Sequence, residues 1–274
     1  MEETSWKEGG LARRWQYYTP PARPSPSELE LIGKQIEKKK AEGSCDVLVL
    51  GVTEEYRLLC RELGIAPTLV DFNARNYDIL SEKIGKRDER FVLSDWREMQ
   101  FQEEFDIVLG DNVLNVVMGK DHEKLLGRVR DSLRKGGLFL PRLYTRKEGE
   151  RGSEEEVLRI FRRIRNEPEN VIMHASRAFL IAYYDFEKDA VFYKDMWNAF
   201  ARAAERDEAV AAVLGAIEKL GYKDSEFCLH IPEESRFEEM AGRFFRKEGV
   251  MHGSEDYLDR SKPIPVPVYI FRKQ

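Results

Sequence analysis

The sequence has few of the features that would assign a protein to a membrane or to an oxidising compartment. It contains only three cysteines, Cys45, Cys60 and Cys228, whose spacing fits no metal-binding pattern. No apolar run approaches the ~20 residues that span a bilayer, and the longest candidate lies between Ala178 and Tyr184. The first residues, MEETSWKEGG, lack the basic start and the apolar stretch of a secretory signal. We therefore expect reduced thiols and a cytoplasmic protein.

An excess of basic residues is also missing. The chain has 45 Lys and Arg against 50 Asp and Glu, a formal net charge of −5, which gives no general attraction to nucleic acid or to an anionic membrane. The four histidines are scattered without metal-ligand spacing, so we expect no metal site. Hydrophobic residues nevertheless make up 42% of the 274 residues, which is enough for the core of one large globular domain.

Strands and helices alternate in the first half of the chain. A helix is predicted from Ser27, its N-cap, to Lys40. Continuous apolar runs then predict five buried strands, in DVLVLG, PTLVD, RFVLSD, FDIVLGD and GLFLPRLYT. Amphipathic segments such as EEYRLLCREL separate them, and DHEKLLGRVRDSLRKGG predicts a helix closed by two glycines. This alternation predicts an α/β fold with a doubly wound, largely parallel sheet.

The pattern changes after Arg146. Residues 153–221 show only helical periodicity, which predicts an all-helical insert after the fifth strand. The tail has a predicted helix near Glu233–Gly242 and two further strands, in RFFRKEGV and VPVYIFRK. The predicted organisation is an N-terminal arm and helix covering the cleft (1–44), a ligand-binding core (45–150), a helical insert acting as a substrate lid (151–225), and a C-terminal helix with the last two core strands (226–274).

The turn after the first strand contains one glycine, Gly51. Dinucleotide-binding turns carry three, which let the backbone approach a pyrophosphate at the helix N-terminus. A ligand without phosphate does not need that approach. S-adenosylmethionine is such a ligand, because it joins adenosine to a methionine moiety through a sulfonium. The single glycine therefore favours S-adenosylmethionine over a nicotinamide dinucleotide.

Polar residues follow the strands in the order that this ligand needs. Asp71 ends the second strand. Its spacing from Gly51 along the sequence is the one at which an acid reaches the two ribose hydroxyls. Asp95 could accept from the adenine amino group, and Trp96 could cover the ring or pack under the sheet edge. The fourth strand ends in GDNVLN (110–115), at the edge where ligands of such sheets lie.

These segments resemble the motifs of class I S-adenosylmethionine-dependent methyltransferases. VLVLGVTEEYR resembles the variant first motif LLGxTPE, and LVDFN, LSDWREM and FDIVLGDNVLN resemble the second, third and fourth motifs. LRKGGLFLPR resembles the junction that follows, and PVYIFRK the seventh, antiparallel strand. The resemblance spans 45–146 and the last strand. It implies a Rossmann-like, seven-stranded sheet of order 3-2-1-4-5-7-6 with the last strand antiparallel.

The resemblance also implies a cofactor site. We expect the cofactor to contact Gly51, Thr53, Glu54, Asp71, Phe72, Ser94, Asp95, Trp96, Asp111 and Asn112. One position departs from the family, because Val49 stands where an acid is usual two places before the glycine. Another group must then hold the cofactor's ammonium, and Glu54 or backbone carbonyls are the candidates.

The N-terminal arm and the insert supply the remaining candidates. Pro20, Pro21, Pro24 and Pro26 prevent the stretch that follows the aromatic residues of the arm from forming a helix or a central strand. An arm of this kind is ordered only if its aromatics are buried, so Trp15 and Tyr18 are expected to cover the cofactor; packing on a distant helix face is the alternative. Candidate bases are Asp111 and His174. Candidate substrate contacts are Asn115, Tyr183, Tyr184 and Trp197, although aromatic stripes at helical spacing usually belong to a core.

The predicted activity is in-line transfer of a methyl group from S-adenosylmethionine to a small molecule. An RNA or protein methyltransferase stays open, although DNVL differs from the Asn/Asp-Pro-Pro-aromatic pattern that holds a flipped base and no basic stripe exists. A non-catalytic binder or regulatory protein also stays open. The missing glycines disfavour a nicotinamide dehydrogenase. The sequence identifies neither the methyl acceptor nor the oligomeric state.

Overall fold

The structure is a computed structural model that describes residues 10–43, 45–86, 88–223, 225–254 and 266–274, without the side chains of 169, 173, 174 and 176. The strands are β1 (Val47–Leu50), β2 (Thr68–Asp71), β3 (Arg90–Leu93), β4 (Phe105–Asp111), β5 (Leu133–Arg142), β6 (Tyr184–Asp185), β7 (Ala190–Phe192), β8 (Cys228–Leu229), β9 (Arg246–Met251) and β10 (Val268–Arg272). The helices are α1 (Gly10–Arg14), α2 (Pro26–Lys40), α3 (Glu54–Glu62), α4 (Ala74–Ile84), α5 (Val113–Val116), α6 (His122–Ser132), α7 (Glu154–Arg163), α8 (Val171–Ala182), α9 (Tyr193–Ala204), α10 (Glu208–Ile217) and α11 (Glu234–Gly242).

Seven strands form one sheet in the order β3-β2-β1-β4-β5-β10-β9. The first five are parallel, and β10 is antiparallel to both of its neighbours. Numbered within the sheet alone, this is the predicted order 3-2-1-4-5-7-6, and the prediction is confirmed. The central strand β1, with the sequence VLVL, is buried along its whole length, because helices cover both faces of a parallel sheet.

Two predicted helix boundaries are wrong. The N-cap of α2 is Ser25 rather than Ser27. The Ser25 hydroxyl accepts from the Glu28 N–H at 3.3 Å, and the Glu28 carboxylate accepts from the Ser25 N–H at 2.8 Å, which is a complete capping box. At the other end of the core, α6 stops at Ser132 and the glycine pair lies inside β5. A Cβ at Gly137 would lie 2.9 Å from the Arg134 carbonyl oxygen, so a glycine is required where the strand bulges.

The expectation of an all-helical insert is wrong at one place. Helices α7 to α10 form most of it, but β6, β7 and β8 make a small antiparallel sheet. The hairpin forms because Asp185 accepts from the N–H groups of Glu187 and Lys188, each at 3.0 Å, a turn that short acidic side chains favour. Insert residues such as Phe161 and Phe200 share a hydrophobic core of their own.

The described residues bear on two expectations, namely that no segment spans a membrane and that the cysteines are reduced. None of the helices named above is both long and apolar enough to cross a bilayer. All three cysteines carry free thiols.

Candidate functional site

A cleft runs along the carboxyl ends of the parallel strands. Its empty volume, including space that is open to solvent, is about 970 Å³. The strand ends form one wall, the insert and the segment before β8 form the opposite wall, and the N-terminal arm lines it as well. The site therefore combines all three parts of the chain.

Gly51 opens the turn between β1 and α3. Its φ is +95°, a conformation that L side chains rarely adopt. A Cβ there would lie 3.5 Å from the Trp96 ring and 3.9 Å from Oδ2 of Asp71. The glycine thus keeps free the space between the ends of β1, β2 and β3.

Asp71 is a buried acid that pairs with no cationic side chain within the described residues. Its side chain lies at the end of β2, the residue is 4% exposed, and Oδ1 accepts from the N–H of Asn73 at 2.8 Å. Burial raises the pKa of Asp71 to about 7, because the charged form has lost its water. A ligand that donates hydrogen bonds here would stabilise the carboxylate.

Three residues of the cleft lining carry buried polar atoms without a protein partner. These atoms are Nε1 of Trp15, Oδ1 of Asn76 and Oδ1 of Asn112. Buried polar groups are nearly always hydrogen-bonded, so the three atoms indicate a polar ligand. Asn112 also has a φ of 53°, a conformation that short polar side chains tolerate. The sequence analysis missed Asn76, whose only signal is its place in the first turn of the helix that follows Asp71.

A buried arginine connects the sheet edge to the arm. Arg142, at the end of β5, donates to Oδ1 of Asp111 and to Oε2 of Glu28, each at 2.9 Å. Its Nη2 also donates to the backbone oxygen of Pro21 at 2.7 Å. Burial raises the pKa of Asp111 to about 7 even though Arg142 lies beside it. Asp111 therefore lines the cleft while it helps to hold the arm.

A second arginine positions Trp15. Arg23 donates to Glu55, and its guanidinium carbon lies 5.5 Å from the centre of the Trp15 ring, within cation–π range. Burial is the main reason that the pKa of Glu55 is raised. Glu54, the acid proposed for the cofactor's ammonium, points elsewhere and pairs with Lys83 at 2.7 Å. Glu55 rather than Glu54 thus contacts the arm.

The sequence of the core matches a known family. Residues 37–140 match the family model described as a methyltransferase domain. The chain contains a methyltransferase domain. The resemblance to class I S-adenosylmethionine-dependent methyltransferases, which the motifs indicated, is thereby confirmed. No curated protein sequence matches the chain.

Solved structures with the same fold align over nearly the whole chain. A methyltransferase of Burkholderia thailandensis, crystallised with 1,6-didemethyltoxoflavin and S-adenosylhomocysteine, is 13% identical with a TM-score of 0.52, over 99% of this chain and 84% of its own. A Methanosarcina mazei methyltransferase is 14% identical with a TM-score of 0.51, over 84% and 92%. A Rhodobacter sphaeroides protein described as a zinc-dependent alcohol dehydrogenase is 16% identical with a TM-score of 0.56, over 96% and 97%. At these identities the likeness shows the fold alone.

Several predicted cofactor residues of the methyltransferase domain lie in the cleft lining. They are Trp15, Tyr18, Gly51, Thr53, Asp71, Trp96, Asp111 and Asn112. Trp96 is anchored by its Nε1, which donates to the Val70 carbonyl oxygen at 2.7 Å. Its ring borders the Gly51 turn, so packing at the sheet edge and facing the cleft are compatible roles for Trp96. Cofactor contact by these residues stays a prediction.

Asp95, Ser94 and Phe72 lie outside the lining. Both oxygens of Asp95 bind Arg97, at 2.9 Å from Nε and 2.6 Å from Nη2, and these hydrogen bonds hold the pKa of Asp95 below its usual value. Arg97 in turn binds Asp121 at 2.6 Å. The structure thus engages Asp95 in an ion pair, which the sequence motif did not indicate. Phe72 is 44% exposed.

The four predicted substrate contacts lie outside the cleft lining, and substrate contact by them stays a prediction. Asn115 is buried and bonds to the backbone of Tyr144 and His230, so it joins chain segments. Tyr184 donates to Asp189 at 2.7 Å. Trp197 belongs to the insert core and Tyr183 packs against it. An aromatic stripe on a helix usually packs in a core in this way.

Other residues of the insert, and of the segment that follows it, line the cleft. They are Leu180, Tyr193, Tyr222, Phe227 and Leu229, and no sequence pattern singled them out as substrate contacts. The side chain of His174, a candidate base, lies outside the described residues. Within the described ranges no three His, Cys, Asp or Glu side chains come together as a metal site would require.

Proposed function

We propose that this chain transfers a methyl group from S-adenosylmethionine to a small-molecule acceptor by in-line displacement. The supporting observation is that one cleft joins the strand ends of a methyltransferase domain to an apolar pocket under the insert. The cofactor would supply a methyl group on a positively charged sulfur. The residues of this chain bind both reactants, align them and exclude water.

The orphaned polar atoms and the buried acid fit the cofactor. Asp71 can accept from both ribose hydroxyls, which are charge-assisted hydrogen bonds. Trp96 and Gly51 border the same space. Asn112 and Asp111, at the end of the neighbouring strand β4, then lie toward the methionine end. Trp15 would close the site, with its indole N–H available to the ligand.

We expect the acceptor to bind next to β4 and β5. The sheet order puts the β1 turn between the adenosine side, at β2 and β3, and the methionine side, at β4. A methyl group at the methionine side therefore faces the part of the cleft lined by Tyr144 and the insert. With the cofactor bound in this order along the sheet edge, the methyl donor and the acceptor would be adjacent, and no change of conformation would be needed to bring them together.

Two alternatives remain to be tested. An RNA or protein methyltransferase needs a cleft that admits a polymer, and here the arm is held over the site by Arg142 and Arg23. A non-catalytic binder would have the same cofactor contacts but no turnover. A nicotinamide dehydrogenase is disfavoured because the β1 turn offers only Gly51 for the approach of a pyrophosphate.

Two measurements test the proposal. Calorimetry with S-adenosylhomocysteine should show one site per chain, because the product keeps the ribose and the amino acid. Methyl-labelled S-adenosylmethionine is then incubated with the protein and with separate small-molecule, RNA and protein fractions. Label transfer confined to the small-molecule fraction is expected. Transfer to RNA or protein would contradict the proposed acceptor, and binding without transfer to any fraction would favour the non-catalytic alternative.

A further inference from the structure

The acceptor half of the cleft has an unusual lining. The walls beyond Asp111 are formed by Val116, Leu180, Leu229 and a group of aromatic side chains, namely Tyr18, Tyr144, Tyr193, Tyr222 and Phe227. Over the residues that the structure describes, the whole lining contains no Lys, Arg, His or Glu, and its only acids are Asp71 and Asp111. Both of these lie at strand ends on the cofactor side.

Three of the rings form a connected group. The centres of Tyr193 and Tyr222 are 4.4 Å apart, and those of Tyr193 and Phe227 are 5.1 Å apart with an interplanar angle of 33°. These separations are those of favourable aromatic contacts. The Tyr193 and Tyr222 rings are tilted by 47°, so each ring presents its own face, and together with the aliphatic side chains they make walls that are weakly polar.

The tyrosine hydroxyls supply hydrogen-bonding groups to the acceptor half of the cleft. Tyr222 hydrogen-bonds to Tyr18 of the arm and to Tyr193 of the insert. Burial raises the pKa of Tyr18 to about 12 and raises the pKa values of Tyr193 and Tyr222 well above the usual value. The phenols are therefore neutral at physiological pH, so they can exchange hydrogen bonds with a ligand but cannot balance a charge.

We propose that the acceptor is a neutral, planar aromatic or heteroaromatic molecule that stacks on Tyr193 and Phe227 and hydrogen-bonds through one polar atom to the Tyr18–Tyr222–Tyr193 hydroxyl group. The inference rests on the proposed function and names the substrate class of the same site.

Charge and shape both support this class. Arg14 acts electrostatically on Tyr18 but does not line the cleft, so a charged acceptor would find no counter-ion among the described residues of the lining, and an unpaired charge is costly to bury. An anion would in addition meet Asp111, and a cation would meet the positive sulfur of the donor. A planar ring can lie against the face of one aromatic side chain over its whole area, whereas a puckered ring of equal size contacts that face only in part.

Three matched probes test the proposal. Naphthol is planar and neutral, naphthoate is planar and anionic, and decahydronaphthol is neutral but not planar. Each is titrated into the full-length protein with and without saturating S-adenosylhomocysteine, and binding is followed by calorimetry. We expect naphthol to bind at least tenfold more tightly than either relative. Equal affinities, or no binding of naphthol, would overturn the proposal.

A pair of variants locates the binding. Tyr222→Phe keeps the ring and removes the hydroxyl, and it should weaken naphthol binding by about three- to tenfold, the range of one lost hydrogen bond, with unchanged affinity for S-adenosylhomocysteine. Tyr17→Phe is the control, since Tyr17 is 40% exposed and outside the lining. Equal effects of the two variants would refute the assigned place. Selective naphthol binding without S-adenosylhomocysteine binding would retain the aromatic site and reject the proposed cofactor.

Discussion

Replacing Asp71 by Asn should stabilise the ligand-free protein and weaken cofactor binding at the same time. Burial raises the pKa of Asp71 to about 7 in the folded protein, against 3.8 for an exposed aspartate. This difference corresponds to about 4 kcal/mol of unfavourable burial of the charged form, which Asn avoids. The amide oxygen of Asn can still accept from the N–H of Asn73, so the local turn is retained.

The sign of the pH dependence follows from linkage. Below pH 3.8 Asp71 is protonated in both states and contributes nothing. As the pH rises from 3.8 to 7, the unfolded chain loses the proton and the folded chain keeps it, so this carboxyl progressively lowers the stability. The loss is complete above pH 7. The advantage of Asp71→Asn should therefore be small near pH 4 and largest at pH 8.

Thermal unfolding at pH 5 and pH 8 measures this advantage. At about 2–4 °C per kcal/mol for a chain of this size, Asp71→Asn should melt several degrees above the parent at pH 8 and by less at pH 5. Asp78→Asn is the control, because Asp78 is a half-exposed partner of Lys86 at 3.9 Å. An advantage that does not change with pH would refute the burial argument.

Cofactor binding should respond in the opposite direction. Ribose hydroxyls donate to the ionised carboxylate, so the affinity of the parent for S-adenosylhomocysteine should rise as the pH passes upward through about 7. The Asn variant should bind at least tenfold more weakly at pH 8, since charge-assisted hydrogen bonds contribute about 1.5–3 kcal/mol each, and it should lose this pH dependence. Unchanged affinity in calorimetry would remove Asp71 from the site.

Three further predictions concern the arm and the turn. Arg142→Met leaves two buried carboxylates without their partner and should destabilise the fold by about 3–5 kcal/mol in denaturant unfolding; a loss below 1 kcal/mol would contradict the ion-pair geometry. Gly51→Ala imposes a strained φ that costs about 1–3 kcal/mol and should lower S-adenosylhomocysteine affinity, whereas Gly215→Ala, which meets open space within α10, should be neutral or stabilising. Trp15→Ala should weaken S-adenosylhomocysteine binding by about tenfold and reduce the tryptophan fluorescence change on binding, with Trp96 reporting the remainder; full retention of both would mean that the arm only packs.

The order of the core elements could be predicted because their signals are local. VLVL and FDIVLGD are apolar on both faces, and the segments between them are amphipathic, so a doubly wound sheet is the arrangement that buries them all. The same locality identified Gly51 and Asp71, since a turn glycine and a strand-end acid are fixed by their neighbours along the chain.

The partners of charged side chains could not be predicted from the sequence. Asp95 was predicted to contact adenine, and the structure pairs its carboxylate with Arg97. Glu54 and Glu55 are adjacent in sequence, and only the packing of α3 decides that the first contacts Lys83 and the second contacts Arg23. Ion pairs of this kind leave no periodic trace in the sequence.

The sequence by itself determined the class of the fold and the family of the core and predicted the place of the cofactor cleft, because strand periodicity and turn chemistry are properties of short segments. Only the tertiary structure decided which aromatic side chains line the cleft. Tyr184 and Trp197 lie on the same apolar stretches as Tyr193, yet they are buried elsewhere, and Tyr222 reaches the pocket from a segment with no distinctive pattern. Helical spacing predicts that a residue packs against another element, but it does not predict which element. The packing of the insert and the arm against the sheet determines that.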